Sequence, residues 1–239
     1  MDVVLIPGFW LEASSWDRVI PVLEEAGHHC HAVTLPGMAR HETDRSAVTL
    51  QDQVEFVTGL IDTLTSDGTQ VVLVGHSGGG AVAHAAVDAR PARVARVVYV
   101  DCLPSPDGGV INDSLPIVDG VIPLPDWSFF GEEDLVDLDD HLRAELRDRS
   151  IPTPGRVASD PKRLTDERRR TVPATVIACE FTCADMRRWM QEDDPGYAFL
   201  KELAATREVE CVDLPTGHWP QFTRPADLGR VIVGALGTA

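Results

Sequence analysis

Lysine is almost missing from this chain: Lys162 and Lys201 stand among basic residues that are otherwise arginine. The basic complement as a whole is small, 21 Lys and Arg against 38 Asp and Glu, for a net charge of −17. That surface argues against nucleic acid and anionic membranes as partners, and leaves a neutral small molecule open. Long apolar runs are missing as well. None approaches the ~20 apolar residues of a membrane-spanning helix. The opening Met-Asp-Val-Val-Leu-Ile-Pro-Gly enters a strand directly, without the charged and apolar regions of a signal peptide. Cysteines are few and odd in number: Cys30, Cys102, Cys179, Cys183 and Cys211. Four lie in or beside apolar runs, so the expectation is buried free thiols in a reducing cytosol, hence a cytoplasmic protein. The spacing of Cys179 and Cys183 lacks the second pair or histidine cluster of a zinc site. No cofactor is expected. Repeats and low-complexity tracts are absent. A small-molecule substrate is expected, with the chain as a monomer or homodimer.

What is there starts with enough apolar material for a sizeable core, 44% of 239 residues, and suits one large α/β domain. Its central stretch runs from Val71 to Ala86. Val71 to Val74 is a β-branched run of the kind buried on both faces of a sheet, and a helical pattern follows from Gly80. Between them, Gly75-His76-Ser77-Gly78-Gly79 fits G-x-S-x-G, a strand-to-helix turn that lifts a strained serine out of the sheet. The bland alternative is a tight turn or an anion cradle. No Lys-Ser/Thr follows and G-x-G-x-x-G is not matched, so a phosphate loop is disfavoured.

Strands are expected at residues 2–6, 29–35, 70–74, 94–100, 174–179 and 208–214. Helices are expected at 14–26, 50–64, 77–89, 184–191, 195–205 and 225–236. Alternation of this kind predicts a mostly parallel sheet of about six strands with helices on both faces. Residues 104–171 break the pattern, rich in Pro, Gly and Asp, with helices expected at 131–149 and 160–170. A stretch this long between two strands reads as an inserted helical cap. The core is then 1–103 and 172–239. Within the cap, Trp127, Phe129 and Phe130 could pack downward or line a pocket with Trp10.

A serine hydroxyl at neutral pH needs a base within hydrogen-bond reach and a third group to orient that base. Of eight histidines, His218 alone follows the carboxyl end of the last strand, where working residues of an open parallel sheet collect. His76 adjoins Ser77, but the turn should point it away; His84 lies two turns into the next helix. Acyl transfer also needs two backbone donors for the oxyanion. Gly78 follows the serine, and the turn after the first strand offers the Phe9 N–H.

Together, Ile6-Pro7-Gly8-Phe9-Trp10 with Trp16, the Ser77 turn, Val98-Tyr99-Val100-Asp101 and Gly217-His218-Trp219 resemble the α/β-hydrolase superfamily, more narrowly its small capped esterases and hydroxynitrile-lyase-like members. The resemblance implies a cofactor-independent serine hydrolase acting on a small, fairly apolar ester, thioester or lactone. It departs at two places. Pro7 replaces a histidine that usually follows the first strand, and Thr182 falls near the usual acid position. Asp101 is the favoured acid, with Glu180 and Asp185 as substitutes. Two other readings stay open: lyase-like acid/base chemistry at the same Ser and His, or a binding protein with little turnover. A lyase usually has a cap lysine near the serine, whereas the neighbours of Lys162 suggest an exposed helix start.

Overall fold

The computed structural model describes residues 1–192, 197 and 200–237. Six short strands, the inner four rich in β-branched and apolar residues, form one all-parallel sheet. They are β1 (Asp2–Ile6), β2 (His29–Ala32), β3 (Val71–His76), β4 (Val94–Val100), β7 (Ala174–Ala178) and β8 (Val209–Asp213), in the order β2-β1-β3-β4-β7-β8. The chain builds β1 and β2 on one side, then crosses to lay β3 on the other side of β1. This reversal opens a crevice at the carboxyl ends of β1 and β3. Gly8 and Ser77 follow those two ends.

Each sheet face carries its own apolar layer. On one face α1 (Ile20–Glu25) and α9 (Pro225–Leu236) bury Leu23, Leu228 and Ile232 against Val3, Val74 and Ile177. On the other, α2 (Leu50–Leu64) and α3 (Gly78–Ala89) bury Val54, Ile61 and Val82 against Val4, Leu73 and Tyr99. The start of α2 is held by a reciprocal cap: Thr49 Oγ1 accepts from the Asp52 N–H and Asp52 accepts from the Thr49 N–H.

Residues 104–171 add their apolar side chains to this second layer, among them Leu115, Ile122, Leu138 and Leu146. They carry an antiparallel pair, β5 (Val121–Ile122) and β6 (Thr153–Pro154), which the sequence did not signal. They also carry α4 (Asp140–Arg149) and α5 (Gly155–Ser159). Among the described residues the remaining α-helices are α6 (Cys183–Gln191), α7 (Lys201–Ala204) and α8 (Pro220–Thr223).

Several expectations need correction. Residues 14–26 are not one helix but a 3-10 turn, Ala13–Trp16, followed by α1, because Pro21 cannot donate to the preceding turn. The second strand ends at Ala32 rather than residue 35. Only the later half of 131–149 is helical, starting where the Asp139 side chain caps the Leu142 N–H. No helix spans 160–170. There the N–H groups of Thr165 and Asp166 donate to the Asp88 carboxylate and that of Leu164 to Asp107, leaving only a 3-10 turn at Glu167–Thr171. Part of the helix expected at 195–205 lies outside the described residues; Lys201–Ala204 is helical.

The cysteine reading also changes. The crossover from β7 through α6 to β8 returns the first turn of α6 to the middle of β8, and Cys183 and Cys211 are joined there in a disulfide. Cys30, Cys102 and Cys179 are free. The argument from free thiols to a reducing compartment therefore falls away. No helix among the described residues is long and apolar enough to cross a membrane.

Candidate active site

Ser77 sits between β3 and α3 with φ 51° and ψ −126°, a left-handed conformation that costs a non-glycine residue free energy. Two backbone bonds hold it: its N–H donates to Val100 O and its carbonyl accepts from Gly80 N–H. Small neighbours permit the turn, since a Cβ on Gly75 would stand 2.7 Å from the Gly79 carbonyl oxygen. Above Ser77 opens a cavity of about 480 Å³ whose lining includes Phe9, Trp10, Gly78, Leu103, Phe130 and His218.

His218 reaches this place on a loop that three contacts fix. Its N–H donates to Asp134 O, the Gly217 N–H donates to Val136 O, and its own carbonyl accepts from His76 Nε2 at 2.6 Å. Its ring meets Ser77 Oγ through Nε2 at 2.8 Å and Asp101 Oδ2 through Nδ1 at 2.7 Å. The residues at 77, 101 and 218 are thus one hydrogen-bonded line, built from three separate strand ends.

Asp101 is fully engaged. Its Oδ1 accepts from the N–H groups of Cys179 and Glu180 while Oδ2 faces the imidazole. Burial opposes its ionisation, but the hydrogen bond and charge of His218 with these two amides hold the carboxyl below its usual range. Glu180 is the second carboxylate at this ring, with Oε1 2.9 Å from Nδ1 but without hydrogen-bond alignment. Burial, with the Asp101 charge adding, pushes Glu180 up to about 7. For His218 burial works downward, yet the two carboxylates outweigh it and raise the imidazole. Asp185 is elsewhere: it accepts from Thr182 in the reciprocal cap of α6 and pairs with Arg188. Thr182, at the usual acid position, is that helix's cap.

Ligand atoms of Asp101, Glu180 and His218 lie within 4.8 Å of one another, a spacing that could hold a cation. A ring accepting the Ser77 proton at Nε2 carries its own hydrogen on Nδ1, which leaves no lone pair there for a metal. The donor set fits a shared hydrogen bond better.

The aromatic expectations divide. Trp10, Phe129 and Phe130 line the cavity. Trp127 does not; it packs edge-on to Trp219 and beside Phe130, under the Arg147 guanidinium at 4.9 Å. Trp10, at φ 64°, is stitched to residues 104–171: its N–H donates to Thr153 Oγ1, its indole N–H to Ile122 O, and its carbonyl accepts from Ile151. With that amide taken, Phe9 and Gly78 remain as lining residues of the cavity beside Ser77. Burial pushes the Cys102 and Cys179 thiols up, which favours their protonated forms.

Three participants escaped the sequence reading. His76 does turn away from Ser77, but onto the His218 backbone; burial first, then the charge of His218, lowers it to about 3, so it is a neutral Nε2–H donor. Lys162 is not exposed at all. It is 2% accessible, with Nζ 3.1 Å from His84 Nδ1 and 3.0 Å from Ser105 Oγ. Ser105 in turn lines the cavity. No local pattern marks these residues, because each partner lies more than fifty positions away in the chain.

The family model described as alpha/beta hydrolase family matches residues 3–231. Methylesterase 7 of Arabidopsis thaliana is 28% identical over 94% of this chain and 92% of its own length. The pyrethroid hydrolase of Sphingobium wenxiniae is 30% identical over 41% of this chain and 35% of its own. Among solved structures, an extracellular alpha/beta-hydrolase from a Paenibacillus species superposes with a TM-score of 0.77 at 20% identity, covering 98% of each chain, and shares the fold.

Proposed function

This chain belongs to the alpha/beta hydrolase family, and from that premise we propose that it is a serine esterase cleaving small, fairly apolar carboxylic esters, thioesters or lactones. The observation that carries the reading is the unbroken line Ser77 Oγ, His218 Nε2, His218 Nδ1, Asp101 Oδ2, with contacts of 2.8 and 2.7 Å. His218 takes the Ser77 proton as the hydroxyl attacks the ester carbonyl. The Phe9 and Gly78 N–H groups receive the oxyanion, and His218 returns the proton to the leaving alcohol. Water deprotonated by His218 then cleaves the acyl-enzyme. Asp101 keeps the hydrogen on Nδ1 and balances the imidazolium that forms in each step.

Residues 104–171 act as the cap in this reading. They supply Val110, Ile111, Phe129 and Phe130 to an enclosure whose apolar wall favours uncharged acyl and alcohol groups. One relative is by name a methylesterase and another a hydrolase of pyrethroids, which supports the bond class. Lyase-like chemistry loses one objection, since Lys162 is buried beside the site, but its ammonium is separated from the cavity by Ser105. A binding protein without turnover would not need Asp101 clamped by two amides behind the imidazole.

Ser77→Ala should abolish p-nitrophenyl ester turnover while the thermal midpoint stays within about 2 °C, and intact-mass spectrometry of the parent should catch a Ser77 acyl adduct. Turnover that survives the substitution would sink the proposal.

A further inference from the structure

The cavity over Ser77 is not uniformly apolar, and its polar groups are unequally engaged. Asp134 Oδ2 accepts from the Gly131 N–H, and Asn112 Oδ1 accepts from the Ser114 N–H and hydroxyl. The Asn112 NH₂ group has no acceptor among the described residues, and Ser105 shares that state but differs in being backed by a charge. Its oxygen accepts from the Lys162 ammonium, and its own hydroxyl hydrogen has no acceptor among the described residues.

The direction of each hydrogen bond follows from the chemistry. An ammonium can only donate. His84 Nδ1 must therefore accept from Lys162, which places the ring hydrogen on Nε2, facing Glu202 at 3.7 Å. Burial lowers His84 to about 4, with Glu202 opposing and Lys162 and Arg169 assisting, so the ring stays neutral and keeps its acceptor. Lys162 itself lies between two cavities. Its side chain lines a second one beside α2 and Ala85, while Nζ backs the wall of the first. Ser105 Oγ thus accepts from a buried ammonium, while Ser105 itself lines the space above Ser77. A hydroxyl polarised in this way is a strong donor and a poor acceptor.

We propose that Ser105 determines specificity at the esterase site: its hydroxyl, backed by Lys162, donates to a second oxygen acceptor on the substrate, a ketone or ether oxygen apart from the scissile ester. The inference rests on the esterase reading and narrows its substrate class from apolar esters to esters carrying one further uncharged acceptor. Lys162 is a positioning residue; it acts through Ser105 and does not touch the ligand. A site built to bond such an oxygen discriminates against the analogue lacking it, because the donor is then left unpaired.

The test compares methyl alkanoates of short to medium chain with counterparts in which one methylene beyond the α- and β-carbons is a ketone carbonyl. Affinities are measured by calorimetry on the Ser77→Ala protein, so that binding is read without turnover. At least one keto ester should bind roughly ten- to hundredfold tighter than its parent. Adding Ser105→Ala should collapse that ratio to near one, and Ser105→Thr should restore it. Lys162→Met should lower the ratio to an intermediate value while the fold, followed by circular dichroism, persists. A ratio near one in the Ser77→Ala protein, or one that survives Ser105→Ala, overturns the proposal and leaves the esterase reading standing. Ester turnover that survives Ser77→Ala defeats that reading instead.

Discussion

A buried histidine, His84, and a half-buried one, His218, each face a carboxylate, and they are driven in opposite directions. His84, on α3, has Glu202 3.7 Å from Nε2 and falls to about 4. His218 has Asp101 and Glu180 2.7 and 2.9 Å from Nδ1 and is raised. Burial lowers both. What separates them is the company the carboxylates keep. Glu202 is bonded by the guanidinium groups of Arg169 and Arg170, and Arg169 also reaches Asp88, so its charge is already compensated before His84 meets it. Lys162 adds a further cation on the far side of the ring. At His218 no guanidinium or ammonium intervenes among the described contacts, and two carboxylates converge on one ring nitrogen. Between these two rings, the carboxylate raises the imidazole only where no permanent cation has claimed it first.

Asp101→Asn is the most damaging way to break this contrast. The amide would keep the shape but could present its NH₂ to the ring, favouring the wrong tautomer, and kcat should fall about 10³- to 10⁴-fold with little change in KM. Steady-state kinetics on a chromogenic ester checks it; a loss under tenfold would move the orienting role to Glu180. Arg169→Met attacks the other side. It removes the guanidinium that Asp88 and Glu202 share, leaving Arg170 on Glu202 and backbone N–H groups on Asp88, and should cost about 3 kcal/mol in urea unfolding, the low end for breaking a buried pair, with kcat per folded molecule retained. Smallest of the three is Glu180→Gln. Its carboxylate helps hold the imidazolium, so removing the charge lowers the His218 pKa and makes the free base available in more acidic solution. The acid limb of the kcat/KM profile should move to lower pH by about one unit, which is ~1.4 kcal/mol of interaction. A limb that stays put, or moves upward, would show that Glu180 does not share the ring's charge.

Much of the scaffold was legible because its signals are local. The helices at 50–64 and 225–236 have the expected bounds, one opened by the Thr49 and Asp52 cap and the other begun at Pro225. The Ser77 turn was legible from glycines whose absent side chains are themselves the signal. Residues 160–170 were misread for the converse reason. Their amides answer to Asp88 and Asp107 on other parts of the chain, and no helical periodicity records that. Lys162 was misjudged alike: flanked by Asp160, Pro161 and Arg163, it looks solvated, and only the approach of α3 encloses it.

The order of strands and helices, the strained serine between β3 and α3, and the family resemblance were all properties of the sequence itself, since each depends on residue types within a turn or two of one another. Which carboxylate meets His218, which aromatic rings face the cavity, and which cysteines join were decided only when distant segments packed together. Thr182, near the usual acid position, is a helix cap, and nothing adjacent in the chain could say that Asp101, at the end of a different strand, lies against the ring. Hydrogen bonds and charge pairs act over a few ångströms of space, and chain position bears on that distance only through the fold.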